Sequence, residues 1–422
     1  MKAKNTFTPK RFFVIEPGLR EATGHPVQYA LALQQYGSRR GLPVYVVAHK
    51  RIQRAVTREL GSPLPMLTRA CFPVTRTGPW DFCNALVDLH RRYGLNQDDL
   101  ILVTSSHINE LRGTALFLKS GLLGACPPML ALNFHQLFPP SPESELMCKP
   151  NYQSHWLKRM KSAFASLPPK CPSISCWTTV SHELNRTLRK VSGRHIGLLP
   201  FLFSESSRDK RATINGTGLR SLSGLRIAFL GDGREEKGLL LFLQAIRAYI
   251  PVESNSSFVI QHINPRGYEG IESVKLLESV AALRNRRDIV FIRKPLLPDV
   301  FRGLLGLVDA VVLPYDPRHY DRRASMVFAQ AAIHRKPTIV SEGTWMAEEI
   351  RKKHASGVIF RSIPGDPNSS ARQLAKAVGK LNQHFGQYSC AAISRSEYPR
   401  ALHTADNYID AILRHMRRRG RS

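Results

Sequence analysis

A diphosphate is held best by backbone N–H groups at the start of a helix and by cationic side chains beside them. One segment of this 422-residue chain is written that way. Asp309-Ala310-Val311-Val312-Leu313-Pro314-Tyr315-Asp316 reads as a strand and its exit, and Tyr320-Asp321-Arg322-Arg323-Ala324 as a loop. Ser325 to Ala331 then opens a helix, and Lys336-Pro337-Thr338-Ile339-Val340 leads into the next strand. The N–H groups of Ser325, Met326 and Val327 are those a helix leaves without internal partners, at the positive end of its dipole. Arg322 and Arg323 bring charge to the same spot. An ordinary surface loop capped by Ser325 is the plain alternative.

Further candidates lie elsewhere in the chain. Leu225 to Gly231 is an apolar strand followed by Asp232-Gly233-Arg234-Glu235-Glu236-Lys237-Gly238. Gly231-x-Gly233 lacks the third glycine of a dinucleotide fingerprint and gives no support for NAD. Near the N-terminus, Glu16-Pro17-Gly18 leads to Thr23-Gly24-His25-Pro26, where Gly24 would let backbone come close to a ligand. His25 can meet a donor, meet an acceptor or simply be polar surface. Asn133-Phe134-His135-Gln136 ends a strand, and His135 can serve a ligand or be hydrogen-bonded for structure.

These loops need strands and helices to position them. Arg11–Glu16 is strand-like, Pro26–Arg39 carries apolar residues at helical spacing, and Pro43–Ala48 is strand-like again. Ile101–Thr104, Met129–Asn133 and Cys176–Val180 continue the alternation, so the first half reads as a parallel α/β sheet. Residues 204–223, rich in Ser, Arg, Gly and Thr, have the composition of a connector. A second series follows, with strands at Leu225–Leu230, Ser257–Gln261, Asp288–Ile292, Ala310–Pro314 and Thr338–Ser341. Helices are expected at Gly238–Tyr249, Val274–Arg284 and Ala324–His334. The expected organisation is a first Rossmann-like domain over 1–203, a linker over 204–223, a second over 224–395, and a C-terminal helix with a basic tail over 396–422. Two such domains would face each other across a central cleft, with ligands in the loops after the strands.

Composition bounds the partners. Lys and Arg number 61 against 32 Asp and Glu, a formal charge of +29, so the natural partners are anionic: nucleic acid, an anionic membrane leaflet or a phosphate-bearing substrate. Zinc-finger and RNP signatures are lacking and the arginines are scattered, which argues against nucleic acid. The seven cysteines are irregularly spaced with no C-x-x-C pair, and are expected to be reduced and structural, with no metal site. No run approaches the ~20 apolar residues of a spanning helix. The expected location is the cytoplasm, with the inner face of the plasma membrane as a surface the chain can rest on. The block Arg417, Arg418, Arg419 and Arg421 reads as a solvated tail or a membrane contact.

The segment from Asp309 to Val340 resembles the donor-site signature of family 4 (group 1) glycosyltransferases of the GT-B fold: an aspartate before an apolar strand ending in Leu-Pro, a loop opening a helix, then Lys-Pro and another strand. Gly231 to Gly238 is similar to the first strand-loop of their C-terminal domain, whose Gly-Arg and Glu-Lys-Gly elements bring two cations to the donor diphosphate. The resemblance implies transfer of a sugar from a nucleotide diphosphate to an acceptor hydroxyl, retaining and without a cofactor or metal, and no Asp-x-Asp pair is present. It places Lys237 and Arg234 at the diphosphate, with Arg234 two positions beyond the family's arginine, where Asp232 stands. It also places Gly24, His25 and His135 near the sugar, and Gly343 to Glu348 beside the donor, where Trp345 serves equally to pack between the domains. The family's two glutamates, separated by seven residues, fall on Arg322 and Gln330. Gln330 can still accept a hydrogen bond from a ribose hydroxyl, without charge assistance, and Asp321 is the nearest substitute for the first glutamate. A glycan or lipid-linked acceptor is implied. A catalytically degenerate relative that binds an anionic glycan or nucleotide sugar is the alternative.

Overall fold

Runs such as Asp99-Leu-Ile-Leu-Val and Met129-Leu-Ala-Leu-Asn-Phe are apolar on both faces, which suits strands covered on both sides. In the computed structural model each lies inside a parallel sheet. The structure describes residues 8–21, 25–69, 74–124, 127–136, 149–168, 171, 173–204, 219, 222–251, 254–263 and 271–419, with backbone alone at 25, 271–273 and 417–419. The expected connector, 204–223, falls largely outside them, as do Gly24, the His25 side chain and the arginine side chains of the tail. Among the described residues, those up to Ser204 together with those from His403 onward form one unit, and those between form a second.

The first unit is built on strands β1 (Arg11–Ile15), β2 (Val44–His49), β3 (Leu64–Leu67), β4 (Asp99–Val103), β5 (Met129–Phe134), β6 (Ile174–Thr179) and β7 (Ile196–Leu199). All are parallel, in the order β3-β2-β1-β4-β5-β6-β7. Phe13 pairs with Tyr45 on one side and Ile101 on the other, so the chain runs outward from β1 and then returns to its opposite edge at β4. At such a reversal the loops leaving two adjacent strands diverge, and ligands of open α/β sheets bind there. Strand β3 escapes the sequence reading because it has four residues, one of them Pro65, and lies at the sheet edge where proline is tolerated.

The second unit has strands β8 (Leu225–Phe229), β9 (Ser256–Gln261), β10 (Ile289–Ile292), β11 (Ala310–Leu313), β12 (Thr338–Ser341) and β13 (Gly357–Phe360), again all parallel. Their order is β10-β9-β8-β11-β12-β13, so the reversal falls between β8 and β11. Asp309 fixes that junction: its carboxylate accepts from the Arg226 backbone N–H at 2.9 Å and from the Arg226 guanidinium at 3.1 and 3.2 Å.

The last helix, Ala405–Arg419, joins the first unit. Ala405, Tyr408, Ile409, Ile412, Leu413 and Met416 recur at helical spacing and are all buried. Tyr408 meets the Asn133 amide at 3.3 Å, Asp406 pairs with Arg40 at 2.7 Å, and the His403 ring accepts from the Phe201 N–H at 3.1 Å. The expected C-terminal segment 396–422 is therefore divided: Glu397–Leu402 stays with the second unit and the helix that follows does not. Cys83, Cys171, Cys176 and Cys390 are free thiols. Among the described residues no helix is long and apolar enough to cross a membrane.

Candidate functional site

The loops leaving β8 and β11 meet in the second unit because a glycine lets them. Gly238 has φ +68, and a Cβ on it would lie 2.1 Å from the Pro314 carbonyl oxygen, so only glycine fits. One step further, the Asp316 N–H donates to the Glu236 carbonyl at 2.9 Å. Gly231, at φ +133, donates its N–H to Gln261 at 2.8 Å and turns the chain so that Lys237 folds back over it.

This junction collects three cations and two carboxylates. Asp232 Oδ1 lies 2.7 Å from Lys237 Nζ and 3.0 Å from Arg234 Nε. Glu236 Oε1 lies 3.0 Å from Arg234 Nη1 and 3.7 Å from Arg323 Nη1. The Arg323 guanidinium sits 4.8 Å from the Tyr320 ring centre, and Tyr320 packs 4.4 Å from Tyr315. Burial works against the Asp232 charge, yet Lys237 and Arg234 outweigh it and hold the acid far below the usual carboxylate range. Burial likewise works against the Arg234 cation, and Asp232, Tyr320 and Glu236 more than restore it. Arg323 Nη1 is buried without a hydrogen-bond partner among the described residues. A buried donor of that kind calls for an acceptor.

Of the other expected residues in this unit, Ser325 is buried and caps the helix Met326–Ile333 through its Oγ, which accepts from the Phe328 N–H at 3.2 Å. The plain capping role is thus realised, and it leaves the N–H groups of Met326 and Val327 at the helix start. Burial drives the pKa of the Tyr315 hydroxyl well above its ordinary value, with Ser325 pulling weakly the other way. Gln330 is buried on the same helix. Arg322 is not part of the cluster: it pairs with Asp321 at 3.2 Å, both side chains well exposed. Trp345 packs edge-on against Phe328, ring centres 5.5 Å apart, within the same unit.

The first unit has its own polar centre at the reversal between β1 and β4. Glu16 is fully buried; one oxygen accepts from the Gly18 N–H at 2.8 Å, the other from Thr104 Oγ1 at 2.6 Å and Ser105 Oγ at 2.8 Å. Burial raises its pKa, against the pull of those hydrogen bonds and of His135. His135 Nε2 lies 2.7 Å from the Thr104 carbonyl, which can only accept, so this nitrogen carries the proton. Its ring stands edge-on to Tyr29 at 5.6 Å. His135 is therefore tied into structure through one nitrogen. Nearby, Glu110 caps the helix Ile108–Lys119 by accepting from the His107 N–H at 2.9 Å, and burial pushes it up to about 7. His25 opens the helix His25–Arg40.

Asp232, Glu236, Tyr315, Tyr320 and the Glu16 cluster were not singled out as site residues in the sequence. The signal for the first two was the alternation Asp-x-Arg-x-Glu-Lys, whose charges pair once Gly231 and Gly238 bend the loop. Among the described residues no group of three or more His, Cys, Asp or Glu is placed to hold a metal ion.

No known protein-family profile matches the chain, and no curated protein sequence is similar to it. Its fold, however, is widely shared among solved structures. The sucrose-phosphate synthase of Thermosynechococcus elongatus superposes with a TM-score of 0.63 at 14% identity, over 98% of each chain. Anabaena HepE in complex with UDP-glucose gives 0.63 at 12%, over 98% of this chain and 100% of that one. The trehalose-phosphate synthase of Burkholderia vietnamiensis gives 0.60 at 13%, over 97% and 100%. The fold is that of the GT-B glycosyltransferases, two parallel-sheet α/β domains.

Proposed function

We propose that the chain is a nucleotide-sugar glycosyltransferase whose donor diphosphate is held by Lys237, Arg234, Arg323 and the start of the helix Met326–Ile333. The observation that carries this reading is the meeting of three cations, Lys237 buried and Arg234 and Arg323 largely so, at the reversal of the second sheet, one of them with a buried donor atom lacking a hydrogen-bond partner among the described residues. A leaving diphosphate gains negative charge as the glycosidic bond breaks, and cations already fixed in a poorly solvated site stabilise that charge without reorganising. HepE, which shares the fold, has been solved with UDP-glucose, and this supports a nucleotide sugar as the ligand class. Retention of configuration, metal independence and membership near family 4 follow the sequence resemblance. The acceptor is a glycan or lipid-linked saccharide hydroxyl, and the charge of +29 suits an anionic membrane surface. Sugar transfer from a panel of UDP-, GDP- and ADP-sugars to glycan acceptors tests the reading; no turnover or donor hydrolysis with any of them would sink it.

A second reading has a specific observation behind it. The two places where the resembling family carries glutamates hold Arg322 and Gln330, and Asp321, the nearest carboxylate, is already paired with Arg322. A chain that binds the donor without transferring its sugar would look like this. Nucleotide binding without turnover or hydrolysis would select it.

A further inference from the structure

Asp232 is chemically the wrong residue for an anion site, and its position makes that consequential. Its Oδ1 contacts the Nζ of Lys237 at 2.7 Å and the Nε of Arg234 at 3.0 Å, atoms a phosphate oxygen would also seek. Two anions cannot share those donors at such distances without strong repulsion in a poorly solvated site. One of them must leave.

The geometry shows which one can. Within the cluster Asp232 is the most exposed side chain, at 31%, against 7% for Glu236, 11% for Lys237 and 19% for Arg234. It is flanked by Gly231, whose φ of +133 only glycine adopts readily, and by Gly233, neither of which has a side chain to cover it. Glu236, by contrast, is buried and bridges Arg234 to Arg323. It keeps Arg234 in place when Asp232 turns away.

We propose that Asp232 is a built-in competitor of the phosphate ligand: it neutralises and orients Lys237 and Arg234, yields them when a diphosphate binds, and takes them back as the diphosphate departs. The proposal rests on the reading of this junction as an anion site and adds the element that weakens anion binding and speeds product release. Covalent chemistry is not involved, only exchange of one carboxylate for one phosphate oxygen on the same two cations.

The test is calorimetric binding of inorganic pyrophosphate and of UDP to the full chain, wild type, Asp232→Asn and Lys237→Ala. The amide keeps the size of the side chain and removes its charge. Asp232→Asn should bind pyrophosphate at least about tenfold more tightly than wild type, through a slower dissociation rate. Equal or weaker binding by a folded Asp232→Asn overturns the proposal, as does absence of pyrophosphate binding to both proteins. A second measurement needs no variant: in a crystal structure of the wild type with pyrophosphate, Asp232 should have moved beyond hydrogen-bond reach of Lys237, and an unmoved carboxylate contradicts the proposal. The two readings fail separately. Tighter pyrophosphate binding by Asp232→Asn, with no nucleotide bound by any protein, supports this inference and removes the nucleotide-sugar reading. UDP binding weakened at least about tenfold in Lys237→Ala, with pyrophosphate affinity indifferent to Asp232, does the reverse.

Discussion

Gly238 and Pro314 stand so close that the glycine's missing Cβ would be 2.1 Å from the proline's carbonyl oxygen. This contact brings the loop after β8 against the loop after β11, and with it Lys237 and Arg234 into reach of the segment carrying Arg323 and Ser325. Gly238→Ala adds both a clash with backbone and an unfavourable φ of +68. A loss of roughly 2 kcal/mol or more of unfolding free energy is expected, measured by urea denaturation. An unchanged midpoint would mean that the loops do not meet as described.

The cations should divide into two classes. Lys237 and Arg323 lie within the cluster, whereas Arg322 is spent on Asp321 at the surface. A charge-assisted hydrogen bond contributes roughly 1.5–3 kcal/mol, so Lys237→Ala and Arg323→Ala should each weaken nucleotide binding about ten- to a hundredfold. Arg322→Ala should change it by less than about threefold, as exposed pairs contribute little. Equal losses in all three variants, by calorimetry, would contradict the assignment.

Glu110 gives the first unit a pH signature. Burial raises its pKa from 4.5 to about 7. The native state therefore holds a proton that the unfolded chain has released, and stability falls as pH rises through that window and levels off above it. At ~1.4 kcal/mol per unit, the loss is on the order of 3 kcal/mol. Glu110→Gln keeps an acceptor for the His107 N–H but has no proton to lose. The gap in melting temperature between variant and wild type should widen in the variant's favour from about pH 5 to about pH 8. A gap that stays constant across this range would remove the buried acid from the account.

The helix Ala405–Arg419 should behave as part of the first unit despite its distance in sequence. Ending the chain at Leu402 would expose the apolar partners of Tyr408, Ile409, Ile412 and Met416 and leave the Asn133 amide short of one partner. Burial of four such side chains is lost, roughly 1.5–3 kcal/mol each when complete. A truncated chain should aggregate or melt far below the full one. Cooperative melting at the wild-type temperature would show the helix to be dispensable.

What the sequence disclosed follows from the range of the forces involved. The apolar runs of β8 and β11, the cap at Ser325 and the cation at Lys237 are local signals, set by periodicity and by neighbours within a turn. The Asp232 pairing was hidden because it depends on glycine turns that fold the loop back on itself. Glu16 and Thr104 are 88 residues apart, and Asn133 and Tyr408 are separated by 275, so no local pattern connects them. Asp321 looked like a substitute carboxylate from its place in the motif, yet the structure pairs it with the adjacent Arg322.

The most direct test of the central claim is the melting temperature of the full chain with UDP, GDP, ADP and their sugar conjugates, alongside Lys237→Ala. A ligand that binds only the folded state raises the melting temperature, by about 2.7 kcal/mol of added stability at a hundred times its Kd. A rise with at least one nucleotide diphosphate is predicted for the wild type, and a clearly smaller one, about 1.4 kcal/mol or less at the same ligand concentration, for Lys237→Ala. No rise with any of them at millimolar concentration, or an equal rise in both proteins, would contradict it.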